Sequence, residues 1–234
     1  MWQYIVGALA LGYLSGSLSS ARFVAAVARQ PQALDGVQVE IGGSGEAYHV
    51  EWHAATTVSL SLGPRWGFLA MVLDMAKVAL PTYAVRLLLP SQPYFLLTAA
   101  AGMVGHIWPV YFRFRGGGGA TAMYGGLIGI DWIGLLVTFF GGMLLGIAVL
   151  RNVMVAYLAG FWLLIPWLWI RTQDPRFVAY AVFVNILFMV GLIPQVREYL
   201  RLRNLGIFDQ EAWLRRTAMG RGMLRVARLF GTKL

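Results

Sequence analysis

Two arginines, Arg113 and Arg115, stand between an apolar stretch that ends near His106 and a run of four glycines. The glycines are Gly116, Gly117, Gly118 and Gly119. Glycines allow backbone N–H groups to approach an anion closely, and a helix that begins directly after them adds the positive end of its dipole. The pattern predicts a site for a phosphate-sized anion at a membrane surface. The alternative is a flexible hinge between two spans.

A second pair of candidate residues lies inside an apolar stretch. Asp74 and Lys77 are one helical turn apart and about ten residues into a predicted membrane span. Charges at that depth are costly and usually face protein with a partner. They are interpreted either as an intramembrane substrate or ion site, or as a structural ion pair, and the structural pair is slightly favoured.

A third candidate is His49, Glu51 and His53, which alternate along one predicted strand. Histidine and carboxylate side chains are legitimate zinc ligands, but this spacing is not a standard zinc motif and no fourth ligand is evident. A solvated strand face is the favoured interpretation, so we expect no metal site and no cofactor.

The elements that position these residues are predicted to be membrane helices. The chain of 234 residues is 59% hydrophobic and only 12% charged, which is far from the composition of a soluble domain. Its net charge is +9, and the basic residues lie beside apolar spans. This placement favours anionic lipid or a phosphorylated substrate over nucleic acid as the binding partner. There is no cysteine, which excludes disulfides and thiolate chemistry.

Hydropathy predicts an all-α bundle of seven transmembrane helices in one domain, residues 1–206. The spans lie near residues 2–28, 65–90, 94–112, 120–130, 132–150, 155–171 and 177–195, and the fourth is only about half a bilayer long. Basic residues accumulate on one side, where the glycine run and the C-terminus lie, while Arg86, Arg171 and Arg176 fall on the other. The positive-inside rule therefore places the N-terminus outside and the glycine run in the cytoplasm, in a multi-pass protein of the inner (plasma) membrane.

Two segments outside the spans have patterns of their own. In the cytoplasmic loop 29–64, period-two alternation on both sides of a glycine-rich stretch predicts a small β-hairpin. The tail, 207–234, places apolar residues on one helical face and Arg221, Arg225 and Arg228 on another, which predicts a basic amphipathic helix lying on anionic lipid. A frayed, solvated terminus is the alternative for the tail.

These motifs, in this order, resemble the bacterial acyl-phosphate glycerol-3-phosphate acyltransferases, the PlsY family. The family's glycine motif is similar to the stretch from Gly105-His106 through Pro109-Val110 to the glycines, with Arg115 in place of a lysine. Its first motif resembles Gly43-Ser44-Gly45, and its Leu-Asp-x-x-Lys resembles the segment from Leu73 to Lys77. Its N-terminal Gly-Ser resembles Gly16-Ser17.

The resemblance implies a fatty acyl transfer from acyl phosphate to glycerol 3-phosphate, giving lysophosphatidic acid for phospholipid synthesis. It implies catalytic roles for Ser44 and His106, and phosphate binding by Arg115 and the four glycines. Several positions depart from the family pattern: Gly118 replaces a lysine, Leu60 an arginine, Glu46 and Thr57 asparagines, and Met154 a serine, and the third motif falls on Val196, Tyr199 and Leu202.

Loss of the arginine and lysine alone would remove about 3–6 kcal/mol of phosphate binding. Two alternatives therefore stay open besides the enzyme. One is a catalytically inactive paralogue that binds lipid or a partner protein. The other, weaker alternative is a transporter that uses Asp74 and Lys77, although no internal repeat supports it.

Overall fold

The computed structural model describes residues 2–34, 38–40, 47–49, 54–150, 153–206, 214–215 and 218–229. Ten α-helices have both of their ends in these ranges. They are α1 (Trp2–Gly16), α2 (Ser20–Val27), α3 (Ala55–Leu62), α4 (Pro64–Leu88), α5 (Tyr94–Ile107), α6 (Ala120–Ile130), α7 (Trp132–Met143), α8 (Val153–Thr172), α9 (Pro175–Asn204) and α10 (Ala218–Leu229). A π-helical segment, Leu144–Val149, continues α7.

Four segments of the described chain are long and apolar enough to cross a membrane. They are Trp2–Val27, Pro64–Leu88, Tyr94–Phe112 and Pro175–Asn204. Three shorter apolar helices, Ala120–Ile130, Trp132–Ile147 and Leu158–Thr172, lie where the remaining spans are predicted. Large apolar side chains such as Leu80, Leu88 and Ile170 are exposed on the outer surface, which fits a lipid environment.

The first predicted span is two helices rather than one continuous helix. Helix α1 ends at Gly16 and α2 begins at Ser20. The Ser19 side chain, which caps α2, accepts a hydrogen bond from the backbone N–H of Arg22 at 3.3 Å. A serine at this position replaces a missing helical partner and so favours a new helix start. The break places the polar groups of residues 17–19 in the middle of an otherwise apolar run.

Glycines hold α1 directly against α5. A side chain at Gly12 or Gly16 would collide with the backbone of Thr98 or Gly102, and one at Gly105 would collide with the carbonyl of Tyr13. Close backbone approach of this kind is typical of helix pairs in membranes. It brings the end of α1 beside the end of α5, where His106 lies.

The main core lies between α4, α5, α6, α8 and α9. Met103, Met123, Leu127, Phe161 and Phe188 are among its fully buried side chains. Buried apolar side chains fix the relative positions of these helices, and so fix the ends of α5 and α6 that flank the four glycines.

Strand β1 (Gln38–Glu40) pairs antiparallel with β2 (Ala47–His49) in the register Gln38 opposite His49, and β2 contacts α9. The residues that flank these two strands and the predicted glycine turn between them lie outside the described residues. In the tail, α10 packs Met223 and Ala227 against Ile147 of the π-helical segment, while Arg221, Arg225 and Arg228 are exposed.

Candidate functional site

A small pocket of about 200 Å3, including the space at its mouth, lies where α1 breaks, α4 passes and α5 ends. Its walls are formed by three segments that are far apart in sequence. The lining residues are Ser17, Leu18, Ser19, Asp74, Lys77, His106, Pro109, Gly116 and Gly117. The pocket therefore joins two of the sequence candidates, the intramembrane pair and the glycine run, into one site.

Asp74 is the electrostatic centre of the pocket. Its Oδ1 lies 2.9 Å from Lys77 Nζ and 3.5 Å from His106 Nδ1, and all three side chains are almost completely buried. The contact with lysine is a close ion pair, whereas 3.5 Å is at the long limit of a hydrogen bond, so the histidine faces the carboxylate without a well-formed bond. One carboxylate thus faces both a cation and an imidazole.

Lys77 also connects α4 to the break in α1. Its ammonium group donates to the carbonyl oxygen of Leu18 at 2.6 Å as well as to Asp74. A lysine has three N–H donors, and among the described residues these two contacts leave one donor beside the pocket. A buried cation with a remaining donor is suited to a phosphate oxygen.

The glycine run folds back onto His106. The N–H of Gly117 donates to the His106 carbonyl at 3.0 Å. A side chain at Gly116 would collide with that carbonyl and with Pro109, and one at Gly117 would collide with Nε2 of the His106 ring. Glycine is therefore required at both positions because the loop lies directly on the histidine.

The second half of the run leads into α6. Gly119 caps this helix with a left-handed backbone, φ +90°, which favours glycine. In the described part of the chain the N–H groups of Gly118 and Gly119 donate to no backbone carbonyl. Free N–H groups at the start of a helix are the arrangement that the sequence predicts for anion binding.

The arginines lie at the surface rather than in the pocket. Arg113 and Arg115 are both exposed, and Arg113 and Phe114 adopt left-handed backbone conformations that turn the chain towards the glycines. Arg22 lies 5.0 Å from the centre of the Phe112 ring, which is within cation–π distance. The pocket is thus lined by the lysine, with arginines outside it.

Some of the site residues predicted from the sequence lie outside the part of the chain that the structure describes. Ser44, Glu51 and His53 lie outside the described residues, as does the side chain of His49. Within the described ranges, no group of three His, Cys, Asp or Glu side chains is placed to hold a metal ion. The polar groups of Ser17, Leu18 and Ser19 are part of the site, although only the Gly16-Ser17 motif pointed to this segment.

The helices and the intramembrane ion pair define an integral membrane protein with a polar pocket at one end of the bundle. Residues 6–202 match the glycerol-3-phosphate acyltransferase family, and the chain belongs to that family. It is 35% identical over 126 residues to a glycerol-3-phosphate acyltransferase of Enterobacter sp. (strain 638), which covers 54% of this chain and 56% of that protein. The corresponding Yersinia pestis (strain Pestoides F) protein is 38% identical over 128 residues, or 54% and 53% of the two chains. The chain thus spans about half the length of the curated relatives it matches.

The fold is similar to that of a solved membrane protein. Crystal structures of PlsY (YgiH), an integral membrane glycerol 3-phosphate acyltransferase, superpose with a TM-score of 0.67 in the lysophosphatidic acid form and 0.64 in the glycerol 3-phosphate form. The sequence identities are 20% and 21%, and both matches cover 85% of this chain and 93% of the other. At this identity the likeness establishes the fold.

Proposed function

We propose that this protein transfers an acyl group from acyl phosphate to glycerol 3-phosphate and releases lysophosphatidic acid and phosphate. Membership in the glycerol-3-phosphate acyltransferase family supports the reaction. The observation that carries it to this chain is the pocket in which Lys77, Asp74 and His106 meet Gly116 and Gly117. A buried cation and glycines beside an imidazole suit the binding of a phosphate ester and the activation of its hydroxyl group.

In this proposal the cations and the glycine run bind the phosphates. Lys77 donates its remaining N–H to a phosphate oxygen at the pocket, and Arg115 attracts and binds phosphate at the mouth. The N–H groups at Gly118 and Gly119 add donors at the start of α6. Together they are the phosphate-binding groups that remain where Gly118 and Leu60 replace the lysine and arginine of the family pattern.

The imidazole of His106 takes the part of a general base. Its Nε2 side faces Gly117 in the pocket while Nδ1 faces Asp74. The acceptor hydroxyl oxygen attacks the acyl carbon, the hydroxyl proton passes to Nε2, and the C–O bond to phosphate breaks with the electron pair leaving on phosphate. Asp74 then stabilises the charged ring. Ser44 is assigned the positioning of the acceptor, and the step requires no cofactor.

The reaction is tested with purified protein in detergent or vesicles, acyl phosphate and labelled glycerol 3-phosphate. We expect lysophosphatidic acid well above a preparation without the protein, and we expect Lys77→Met to reduce it strongly. Arg203→Met is the matched control, because Arg203 is an exposed cation at the end of α9. Absence of product from wild-type protein would instead favour an inactive paralogue that keeps the fold.

We also propose seven crossings, with the N-terminus outside and the pocket at the cytoplasmic face of the inner membrane. Arg22, Arg65, Arg113 and Arg115 lie near the pocket end, while Arg86 and Arg171 lie at the other, which supports this orientation. Residues 1–206 form the membrane domain and 207–234 a separate tail. Since the chain has no cysteine, single cysteines at Ser19 and Ser91 would report sidedness by labelling of intact spheroplasts. We expect only the Ser91→Cys variant to react from outside.

For the tail, we propose that α10 presents its arginines to anionic lipid. The apolar face is already covered by Ile147, so α10 is held by the protein rather than inserted in the bilayer. Electrostatic attraction to the leaflet of about 1 kcal/mol per arginine is then the expected contribution. Replacing Arg221, Arg225 and Arg228 by glutamine should remove the dependence of activity on anionic lipid in reconstituted vesicles.

A further inference from the structure

The side chain of Gln195, in α9, lies over the glycine run. Helix α9 passes so close that a side chain at Gly191 would meet the carbonyl of Gly118 at 2.8 Å. One turn further along, Gln195 Nε2 is 3.2 Å from the position that a Cβ atom at Gly118 would take. A side chain at position 118 would therefore press on the amide of Gln195, which would have to give way by a few tenths of an ångström.

The rotation of α9 about its axis turns Gln195 towards the glycine run, whereas its neighbour Val196 points elsewhere. Val196, on which the family's third motif falls, is 47% exposed. Gln195 is half-buried and follows Pro194, which has no N–H to donate within the helix. A polar side chain thus faces the site from a position that the motif does not include.

The amide is also chemically free to bind a ligand. The side-chain amide of Gln195 makes no hydrogen bond to any of the described residues. Its NH2 group has two donors, and the N–H groups of Gly118 and Gly119 beside it also lack backbone partners in the described part of the chain. Side-chain and backbone donors therefore meet at one place at the start of α6.

We propose that Gln195 is a substrate-binding residue whose amide donates to a phosphate oxygen held beside Gly118, and that the close approach of this amide favours glycine at position 118. The proposal rests on the proposed function for the identity of the substrate. The phosphate belongs either to glycerol 3-phosphate or to acyl phosphate, and the two are separated by their individual KM values.

The test compares Gln195→Leu, which removes the donors, with Gln195→Glu, which keeps the size and places an acceptor against phosphate. We expect KM for one of the two substrates to rise about tenfold in the leucine variant and further in the glutamate variant, with kcat changed less. Gln3→Glu, the same change at an exposed position in α1 at the opposite end, should leave both KM values unchanged.

A space-filling role would give a different pattern. Gln195→Glu would then match wild type in both KM values and in its thermal midpoint, and that result would overturn the proposal while leaving the acyltransferase reaction standing. A second variant checks the shared space. Gly118→Ala should raise the same KM as Gln195→Leu, because its methyl group displaces the amide.

Thermal stabilisation by glycerol 3-phosphate and by inorganic phosphate tests binding without turnover. If wild-type protein forms no lysophosphatidic acid, the acyltransferase proposal fails, but a ligand-induced shift of the midpoint that weakens in Gln195→Glu still supports Gln195. Equal shifts in wild type and both Gln195 variants, or no shift in any of them, would contradict its role in both situations.

Discussion

Replacing Gly117 with alanine should abolish most of the activity while the protein stays folded. Gly117 does not have a positive φ, so an alanine can adopt the same backbone conformation. The added methyl group, however, collides with His106 Nε2, and the buried ring has Asp74 on its other side. The ring or the loop must move by about 1 Å, and a displacement of this size at a reacting group costs roughly 100-fold in rate.

The expected change in stability is smaller than the change in rate. Overpacking one methyl group in a buried site costs about 1–3 kcal/mol, so the folded protein should remain the main species in detergent. The initial rate of lysophosphatidic acid formation and the thermal midpoint are measured on the same preparation. The rate should fall roughly 100-fold, with a clear but moderate decrease of the midpoint.

Gly7→Ala is the matched control. Gly7 lies in α1 on an exposed surface, and a Cβ atom there would meet no atom within 4 Å. Alanine is favoured over glycine inside a helix by about 0.5–1 kcal/mol, so this variant should be as active as wild type and no less stable. Wild-type turnover in Gly117→Ala would refute the reasoning, because the imidazole would then not need its observed position.

Three further predictions concern the charged groups. Asp74→Asn leaves Lys77 buried without a counter-charge and should cost about 3–5 kcal/mol in the free energy of unfolding, measured by denaturant titration; an unchanged midpoint would argue against the pair. Arg115→Ala should raise KM for a phosphate substrate about tenfold without changing the midpoint, since Arg115 is exposed; unchanged KM would exclude it from the site. Asp174 caps α9 and accepts hydrogen bonds from Arg176, and these bonds lower the pKa of Asp174. The contribution of Asp174 to stability is therefore present above about pH 4 and is lost as pH falls through its pKa in the folded protein. Asp174→Asn should therefore lower the midpoint at pH 7 but not at the lowest pH, and equal effects at both would contradict this.

Two parts of the site could be predicted from local patterns, because each of them lies within one short stretch of the sequence. The glycines after His106, and Asp74 one turn before Lys77, were recognisable because spacing along one helix or loop decides them. Their meeting in one pocket was not recognisable, since it depends on close packing of α4 and α5.

Other features depend on tertiary contacts that no local pattern contains. The break in the first span is stabilised by Lys77, which donates to the Leu18 carbonyl from 59 residues away. Gln195, rather than Val196, faces the glycine run because of the way α9 is rotated about its axis. Asp131, between α6 and α7, accepts a hydrogen bond from the Trp167 indole at 2.8 Å, and its side chain is only 11% exposed.

The most direct test of the central claim is protection of the pocket by substrate. In the cysteine-free chain, Ser19→Cys places one thiol in the pocket wall, and Ser91→Cys places one in the exposed connection between α4 and α5 as a control. The rate of maleimide labelling is measured with and without glycerol 3-phosphate. Binding in this pocket predicts that the ligand slows labelling at position 19 and leaves position 91 unchanged. Equal rates at position 19 with and without saturating ligand would contradict it.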